Sequence, residues 1–279
     1  MEQTQETATR PRGRNQFRER YGPWAVVTGA SEGIGREIAL RLAESGLNLI
    51  LVARRRELLE ELASRLASQW GIQTRALTAD LGTLAGINAV QTGTEDLDVG
   101  LLIAAAGFGT AGLFLSADLA REYDMLEVNC RAVLTLSHHF AQRLAKRGRG
   151  GIVLMASLVG FQGVPYAAHY AATKAYVQSL AEALHVELAP MGVDVLASSP
   201  GPVKSGFAKR ADMIMGLAIE PVSVAQATLD ALGRKATVAP GLLSKILTYS
   251  LIVLPRWGRA RVMKRVMGGM TKHLIDGKA

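Results

Sequence analysis

Cysteine is almost absent from this sequence of 279 residues, in which Cys130 is the single example. One cysteine excludes a disulfide within the chain, so we expect a reducing compartment and a cytoplasmic protein. An apolar signal segment is also missing from the N-terminal residues, which are polar and contain several arginines. We therefore predict a flexible basic arm over residues 1–21 and no secretory signal.

Patterns of metal ligands are equally scarce. The side chains of His138, His139, His169 and Cys130 have no partners at the spacing of a metal site. We expect no bound metal and interpret these four residues as structural, although His169 could border a substrate.

The middle of the chain carries no net charge. Residues 21–255 hold 20 basic and 20 acidic residues, whereas residues 1–20 hold five Arg and three Glu. Residues 256–279 hold seven Lys or Arg and one Asp, so the net charge of +8 belongs to the two ends. This distribution argues against a nucleic-acid partner for the main domain. It leaves an anionic partner open for the C-terminal end.

The apolar run 246–254 is too short to cross a bilayer, which requires about 20 residues. We predict that residues 242–279 form a helical extension that packs on the main domain, where this run walls a substrate pocket. The basic stretch from Arg256 to Lys272 would then make a weak, peripheral contact with an anionic membrane surface. An oligomer contact remains an alternative. The side chains assigned to the wall are Ile246, Leu247, Leu251, Ile252 and Leu254.

Short, continuous apolar runs alternate with segments of helical apolar spacing. Apolar strands joined by helices are typical of a parallel sheet that is covered on both faces. We therefore predict an α/β fold with a doubly wound parallel sheet, in a single domain over residues 22–241. The predicted strands are 23–29, 47–53, 74–80, 98–107, 150–157 and 193–201. The predicted helices are 34–46, 55–70, 119–146 and 166–189, with a further helix and a short strand within 220–241.

The first predicted strand runs into a glycine-rich turn with the sequence GASEGIG, residues 29–35. In doubly wound folds, ligands bind beyond the carboxyl ends of the strands. Glycines allow the backbone to approach a ligand closely, and the N-terminus of the following helix attracts a pyrophosphate. The turn therefore predicts a dinucleotide site.

Two arginines follow the second predicted strand, where an acidic residue would hold the ribose 2′-hydroxyl of NAD(H). The guanidinium groups of Arg54 and Arg55 match a phosphate instead, which favours NADP(H) over NAD(H). Glu32 lies nearby in the glycine turn. Its carboxylate would repel a 2′-phosphate if it pointed inward.

Tyr170 and Lys174 lie four residues apart in a predicted helix. Positions i and i+4 share one helix face, so both side chains can point at the same small object. A free tyrosine has a pKa near 10. A cation close by favours the phenolate, and we expect Lys174 to lower the pKa of Tyr170 in this way.

These features together resemble the classical short-chain dehydrogenase/reductase family. The resemblance spans residues 22–205 and is carried by five separated motifs in the family's order. They are Thr28-Gly29-x-x-x-Gly33-x-Gly35, Asn129, Ser157, Tyr170-x-x-x-Lys174 and Pro200-Gly201. The resemblance implies a Rossmann-like fold and hydride transfer between nicotinamide C4 and a carbonyl or secondary alcohol.

The resemblance also implies roles for individual residues. Tyr170 would be the general acid or base, Lys174 its cationic neighbour, and Ser157 a hydrogen-bond donor to the substrate oxygen. Asn129 would hold a water that links Lys174 to solvent. The implied cofactor contacts are Gly29, Ser31, Gly33, Ile34, Gly35, Arg54, Arg55, Asp80, Leu81, Ala106, Gly107, Asn129, Tyr170, Lys174, Pro200, Gly201, Val203 and Ser205.

Three positions depart from the family pattern. Ala104 and Ala105 stand where the family usually has two asparagines, so the bonds of those amides must be lost or replaced. Ser205 stands where a threonine is common, which keeps a hydroxyl group.

The resemblance implies an NADP-dependent oxidoreductase for a small carbonyl or alcohol substrate, and the C-terminal extension favours a lipophilic one. It further implies a homo-oligomer that pairs through helices 119–146 and 166–189. A catalytically silent NADP-binding sensor and a membrane-surface interaction protein remain alternatives. The presence of both Tyr170 and Lys174 favours the enzyme.

Overall fold

Parallel strands form the centre of this computed structural model, which describes residues 14–214, 216–241, 244–246, 250–251 and 253–276. Seven strands are found in that part of the chain. They are β1 (Trp24–Thr28), β2 (Asn48–Ala53), β3 (Thr74–Thr78), β4 (Val99–Ala104), β5 (Gly150–Met155), β6 (Val193–Ser198) and β7 (Thr237–Val238). Every neighbouring pair is parallel, in the order β3-β2-β1-β4-β5-β6-β7.

Helices cover both faces of this sheet. Their bounds are α1 (Arg14–Tyr21), α2 (Gly33–Glu44), α3 (Arg56–Trp70), α4 (Leu84–Thr92), α5 (Leu119–Leu126), α6 (Ala132–Arg147), α7 (Ala168–Leu188), α8 (Gly206–Arg210), α9 (Pro221–Ala231), α10 (Arg256–Met270) and α11 (Lys272–Asp276). Alternate residues of β1 belong to different apolar clusters, Val26 to one and Val27 to the other. The sheet is therefore buried on both sides, which explains why its strands read as continuous apolar runs. The predicted α/β fold with a doubly wound, Rossmann-like sheet is confirmed.

The strand order reverses between β1 and β4. β2 and β3 lie on one side of β1, whereas β4 to β7 lie on the other side. Such a switch point opens a crevice at the carboxyl ends of the two strands, and ligands of doubly wound folds bind there. A ligand is therefore expected next to the loops that follow β1 and β4.

The prediction of a flexible arm over residues 1–21 is wrong for residues 14–21, which form α1. Tyr21 is fully buried, and its hydroxyl donates a hydrogen bond to Asp194 Oδ2 at 2.6 Å. Arg20 Nη2 donates to the other oxygen of the same carboxylate at 2.8 Å. The aromatic anchor and the ion pair hold this helix against the sheet. Residues 1–13 lie outside the described residues.

Two helical features differ from the predicted pattern. The sequence patterns predicted no helix between β3 and β4, where the structure contains α4, whose first turn is capped by Thr83 Oγ1 accepting from the Gly86 amide at 3.0 Å. The predicted helix 119–146 is divided into α5 and α6 by a π-helical turn, Glu127–Arg131. Such turns are frequent at functional sites, and this one contains Asn129.

The C-terminal extension contacts the domain in its described part. Met263 and Met267 of α10 are buried, as is Leu251, and the Ser244 hydroxyl accepts from the Gly201 amide at 2.8 Å. The prediction that Ile246 and Leu254 wall the pocket is wrong, because α10 occupies that side and leaves both side chains exposed. Leu247 and Ile252 lie outside the described residues. The domain boundaries at 21/22 and 241/242 stay predictions.

None of the helices in the described ranges combines the length and the apolar content that crossing a membrane requires.

Candidate active site

A cleft of about 520 Å³ opens at the carboxyl ends of the strands, around the switch point between β1 and β4. With the exception of Asn129, every residue predicted to act in catalysis or to contact the cofactor lines this cleft. The fold thus brings together residues that are up to 176 positions apart, from Gly29 to Ser205. The individual geometry shows what each group can do.

The glycine turn after β1 has a backbone that other residues would not tolerate. Gly29 and Gly33 have φ angles of +67° and +58°, which side chains disfavour. A Cβ on Gly35 would lie 2.4 Å from the Gly29 carbonyl oxygen, so the first turn of α2 can pack this closely only with glycine there. The turn therefore fits a pyrophosphate, which needs close approach to backbone amides at a helix N-terminus.

Thr28 makes hydrogen bonds to the loop after β4, in which Ala105 stands at the place of an asparagine of the family pattern. Its hydroxyl oxygen accepts from the amides of Ala105 and Ala106, both at 3.0 Å, and donates to the Ile103 carbonyl at 3.4 Å. One buried threonine thus links the ends of β1 and β4 across the switch point. The motif that contains Thr28 did not predict these bonds.

The adenosine end of the cleft holds a cluster of opposite charges. Arg55 Nη2 donates to the Ser31 hydroxyl at 3.0 Å and pairs with Glu32 Oε2 at 2.8 Å. The other oxygen of Glu32 pairs with Arg210 of α8. Burial by itself would raise the pKa of Glu32, but the hydrogen bond from Arg55 and the charge of Arg210 outweigh it and lower the pKa. Arg54 is exposed and lines the same end of the cleft.

Tyr170 lies at the floor of the cleft with only 8% of its surface exposed. Burial raises the pKa of this tyrosine to about 12, and the hydrogen bond with Ser157 opposes the rise only partly. The phenol is therefore protonated at neutral pH and can donate a proton. Ser157 is held in place by bonds of its own, accepting from the Val159 amide and donating to the Pro200 carbonyl, both at 3.4 Å.

Lys174 lies one helical turn after Tyr170 and is also buried. Its ammonium donates to the Met155 carbonyl at 2.8 Å and lies 5.9 Å from the centroid of the Tyr170 ring. Burial lowers the pKa of Lys174 to about 8. The expected lowering of the Tyr170 pKa by Lys174 is wrong for this structure, because the burial of the phenol dominates its pKa.

Asn129 is fully buried just behind the cleft. Its amide nitrogen donates to the Phe108 carbonyl at 2.9 Å and to Thr173 Oγ1 at 3.0 Å, and its oxygen accepts from the Phe108 amide at 3.2 Å. Asn129 thus fastens the loop after β4 to α7. Its implied role in holding a water for Lys174 stays a prediction.

The substrate side of the cleft is apolar, and sequence reasoning missed most of its wall. Phe207 of α8 packs against Tyr170 with ring centroids 5.3 Å apart. Methionines from the segment after α8 and from α10 complete the wall. They are Met213, Met263, Met267 and Met270. The spacing of the last three, at i, i+4 and i+7 on one helix, was the available signal.

The histidines and the cysteine lie outside the cleft lining. His169 Nδ1 lies 2.7 Å from Glu122 Oε2, which joins α7 to α5. His169 therefore does not line the cleft, although it precedes Tyr170 in the chain. Among the described residues, no group of three or more His, Cys, Asp and Glu side chains is arranged to hold a metal ion.

Comparisons with known proteins agree with this geometry. The sequence profile described as short chain dehydrogenase matches residues 23–213. A 7beta-hydroxysteroid dehydrogenase of Clostridium sardiniense is 35% identical over 233 residues, which are 82% of this chain and 89% of that protein. A solved short-chain dehydrogenase from Sphingobium yanoikuyae in complex with NADPH has a TM-score of 0.78 at 32% identity, covering 87% of this chain and 95% of that one. A structure from work on 7beta-hydroxysteroid dehydrogenase stereoselectivity has a TM-score of 0.82 at 26% identity, covering 88% and 98%.

Proposed function

The chain belongs to the short-chain dehydrogenase family and is an NAD(P)-dependent oxidoreductase, and from that premise we propose that it interconverts a ketone and a secondary alcohol on a lipophilic substrate with NADP(H). One observation carries the proposal. The buried phenol of Tyr170, beside Ser157 and Lys174, faces an apolar cavity next to the glycine turn.

The nicotinamide, when bound, supplies or accepts the hydride. Tyr170 donates its proton to the carbonyl oxygen as that oxygen becomes an alkoxide, and in the oxidation direction it withdraws the proton. The Ser157 hydroxyl orients the same oxygen. A buried phenolate is costly, and the ammonium of Lys174, 5.9 Å from the centroid of the Tyr170 ring, is the cation that would offset part of this cost once the proton has left.

The preference for NADP(H) rests on the two arginines after β2. Arg54 and Arg55 lie at the adenosine end of the cleft. They occupy the place directly after β2 where an acidic residue would bind the ribose of NAD(H). A similar structure was solved in complex with NADPH. Residues that would hold the pyrophosphate are those of the glycine turn, whose φ angles and close packing fit that group.

A bulky, polycyclic ketone or alcohol is the substrate class that we propose. The methionine and phenylalanine side chains of the wall can adapt to a rigid apolar molecule, since methionine is flexible and polarisable. Two of the similar proteins are described as 7beta-hydroxysteroid dehydrogenases, which favours a hydroxysteroid or a molecule of that size.

The decisive experiment is an assay of the purified protein with a panel of ketosteroids and hydroxysteroids, aliphatic ketones and aldehydes, with NADPH and with NADH. We expect turnover of the polycyclic members with NADPH, and products that differ from substrates by two hydrogens, one on the carbonyl carbon and one on its oxygen. NADPH binding without turnover of any carbonyl or alcohol would favour the catalytically silent sensor.

Arg54→Ala tests the cofactor preference in the same assay. A charge-assisted contact to a phosphate contributes roughly 1.5–3 kcal/mol, so the KM for NADPH should rise about ten- to hundredfold while that for NADH changes little. An equal rise for both cofactors would show that Arg54 does not read the 2′-phosphate.

A further inference from the structure

One carboxylate, that of Glu32, is shared by two guanidinium groups from distant parts of the chain. Arg55 follows β2, and Arg210 is the last residue of α8. Glu32 Oε2 pairs with Arg55 at 2.8 Å, and Oε1 pairs with Arg210. The three side chains together carry a net charge of +1, so the one carboxylate of Glu32 cannot neutralise both guanidinium groups. The more strongly Glu32 pairs with Arg210, the more of the positive charge of Arg55 is left without a counter-charge.

Arg210 belongs to a stretch that also reaches the substrate cavity, which we call the cover segment, residues 205–214. Its first residue lies against the glycine turn, since a Cβ on Gly33 would be 3.3 Å from Ser205 Cβ. Phe207 packs on the ring of Tyr170. Ala211 and Met213 are buried with Met263 and Met267 of α10. The cover segment thus touches the cofactor end and the substrate end of the cleft at once.

We propose that Arg210 is a specificity-determining residue for the 2′-phosphate of the cofactor and that it acts through Glu32. The inference rests on the proposed function, in which Arg55 faces that phosphate. Because Arg210 also pairs with the carboxylate of Glu32, that carboxylate neutralises Arg55 only in part. The remaining positive charge of Arg55 can then attract the phosphate. Without Arg210, Glu32 would pair with Arg55 alone and would compete with the phosphate for the guanidinium group of Arg55.

The coupling must also run in the opposite direction. A phosphate on Arg55 repels Glu32 and displaces it toward Arg210, which holds the cover segment against the cleft. Linkage is reciprocal for binding free energies. NADPH, but not NADH, should therefore order the cover segment and strengthen the binding of a lipophilic ligand under Phe207 and Met213.

Binding rather than turnover is the readout that tests the proposal. We would measure the Kd of NADPH and of NADH by calorimetry for the wild type, Arg210→Gln, Glu32→Gln and the double variant. Partly exposed ion pairs are weak, so we expect Arg210→Gln to raise the Kd of NADPH about two- to fivefold and Glu32→Gln to lower it by a similar factor. The Kd of NADH should not change, which also shows that each variant is folded.

The double variant separates this mechanism from direct contact. If Arg210 acts through Glu32, Arg210→Gln has no effect on NADPH once Glu32 is Gln. A loss of the same factor in both backgrounds would overturn the proposal, because it would show that Arg210 touches the phosphate itself. Arg210→Lys should restore most of the NADPH affinity. Lys209→Gln, which removes the neighbouring charge on the same helix, is the matched control and should leave the ratio of the two Kd values unchanged.

Arg55→Gln distinguishes a failure of the inference from a failure of the proposed function. If Arg55→Gln weakens NADPH and NADH equally, Arg55 does not read the 2′-phosphate and the inference fails, whereas the proposed NADP(H) preference fails only if Arg54→Ala is equally unselective. If Arg55→Gln is selective for NADPH while the Glu32 and Arg210 effects simply add, only the inference fails. Hydrogen exchange gives an independent check, with residues 205–214 more protected by NADPH than by NADH in the wild type and equally protected in Arg210→Gln.

Discussion

At the scale of single residues, Tyr170 is the group on which the proposed chemistry depends. The phenol is buried, protonated at neutral pH and bonded to Ser157, while the proposed cofactor contacts are distributed over many other residues of the cleft. Tyr170→Phe should therefore lower kcat about 10²–10⁴-fold, the usual contribution of a positioned acid or base. The Kd of NADPH should change little, and stopped-flow turnover with calorimetric binding would show both. A variant that keeps more than about a tenth of the wild-type kcat would contradict the role of Tyr170.

Lys174 leads to a prediction about stability and pH. Burial lowers its pKa from 10.5 to about 8. Between these values the unfolded chain binds a proton that the folded protein does not, so this residue makes the free energy of unfolding rise with pH from about 8 to 10.5. Below pH 8 the buried charge destabilises the fold by its full amount. Lys174→Met should accordingly stabilise the protein most near pH 7, and its advantage should shrink toward pH 10.5.

Urea unfolding of the wild type and Lys174→Met at three pH values would measure this difference. Tyr170 is present in both proteins, so its own raised pKa cancels in the comparison. A stability difference that stays constant with pH would mean that Lys174 is not destabilised by burial in the folded protein.

The residues of the candidate site could be predicted largely from the sequence, because they follow the strands and the strand ends can be located from apolar runs. Gly29, Ser157 and Tyr170 all lie where their motifs indicated. The pairing of Glu32 with Arg210 could not be predicted, because it depends on how α8 folds back over the glycine turn 178 positions away. Local patterns contain no information on such a contact.

At the scale of elements, the strands with long apolar runs could be predicted from the sequence, whereas the packing of the N-terminal and C-terminal helices could not. The inner strands β1, β2, β4, β5 and β6 are largely buried on both faces, so their continuous apolar composition marked them. Helix α1 looks like a polar arm in sequence, and only its tertiary contact between Tyr21 and Asp194 explains its order. The apolar run 246–254 was given a role in the cavity wall that α10 takes through its methionines.

Helix α10 has an outward face that motivates a separate prediction. It carries five Arg or Lys and no acidic residue, and its buried face is fixed by Met263 and Met267. Trp257 is 65% exposed, with the guanidinium of Arg261 4.9 Å from its ring centroid. A basic face with an exposed tryptophan is typical of contact with an anionic membrane surface. We propose weak, salt-sensitive binding of the protein to anionic vesicles through this face.

Vesicle sedimentation tests this proposal with the triple variant Arg261→Gln, Lys264→Gln and Arg265→Gln. Each basic residue near an anionic surface contributes about 1 kcal/mol, so binding at low salt should fall at least tenfold, with turnover of a small ketone unchanged. The matched control removes three exposed charges elsewhere, at Arg65, Lys146 and Lys235. Equal losses in the two variants would show that net charge, rather than this helix face, is responsible. Binding to neutral vesicles would also contradict the proposal.

At the scale of the whole molecule, the helices over one face of the sheet expose several large apolar side chains to solvent. Several large side chains on α5, α6 and α7 are exposed, although the cores of these helices are well buried. They are Leu119, Tyr123, Leu126, Leu134 and Tyr176. Exposed apolar side chains that lie together often mark an interface with another protein. The helices concerned correspond to those from which the sequence predicted a homo-oligomer, with the interruption at Glu127–Arg131.

We therefore expect the protein to form a symmetric oligomer in which α5, α6 and α7 of two copies meet. A two-fold contact brings the same patch from both subunits together, so one charged substitution places two like charges in the interface. Leu134→Glu should shift the mass measured by light scattering from oligomer to monomer, and NADPH should still bind because α6 does not line the cleft. Leu58→Glu is the matched control, since Leu58 is 41% exposed on α3, which belongs to the opposite face. If the wild type is a monomer, or if both variants remain oligomeric, then these helix faces do not form the interface.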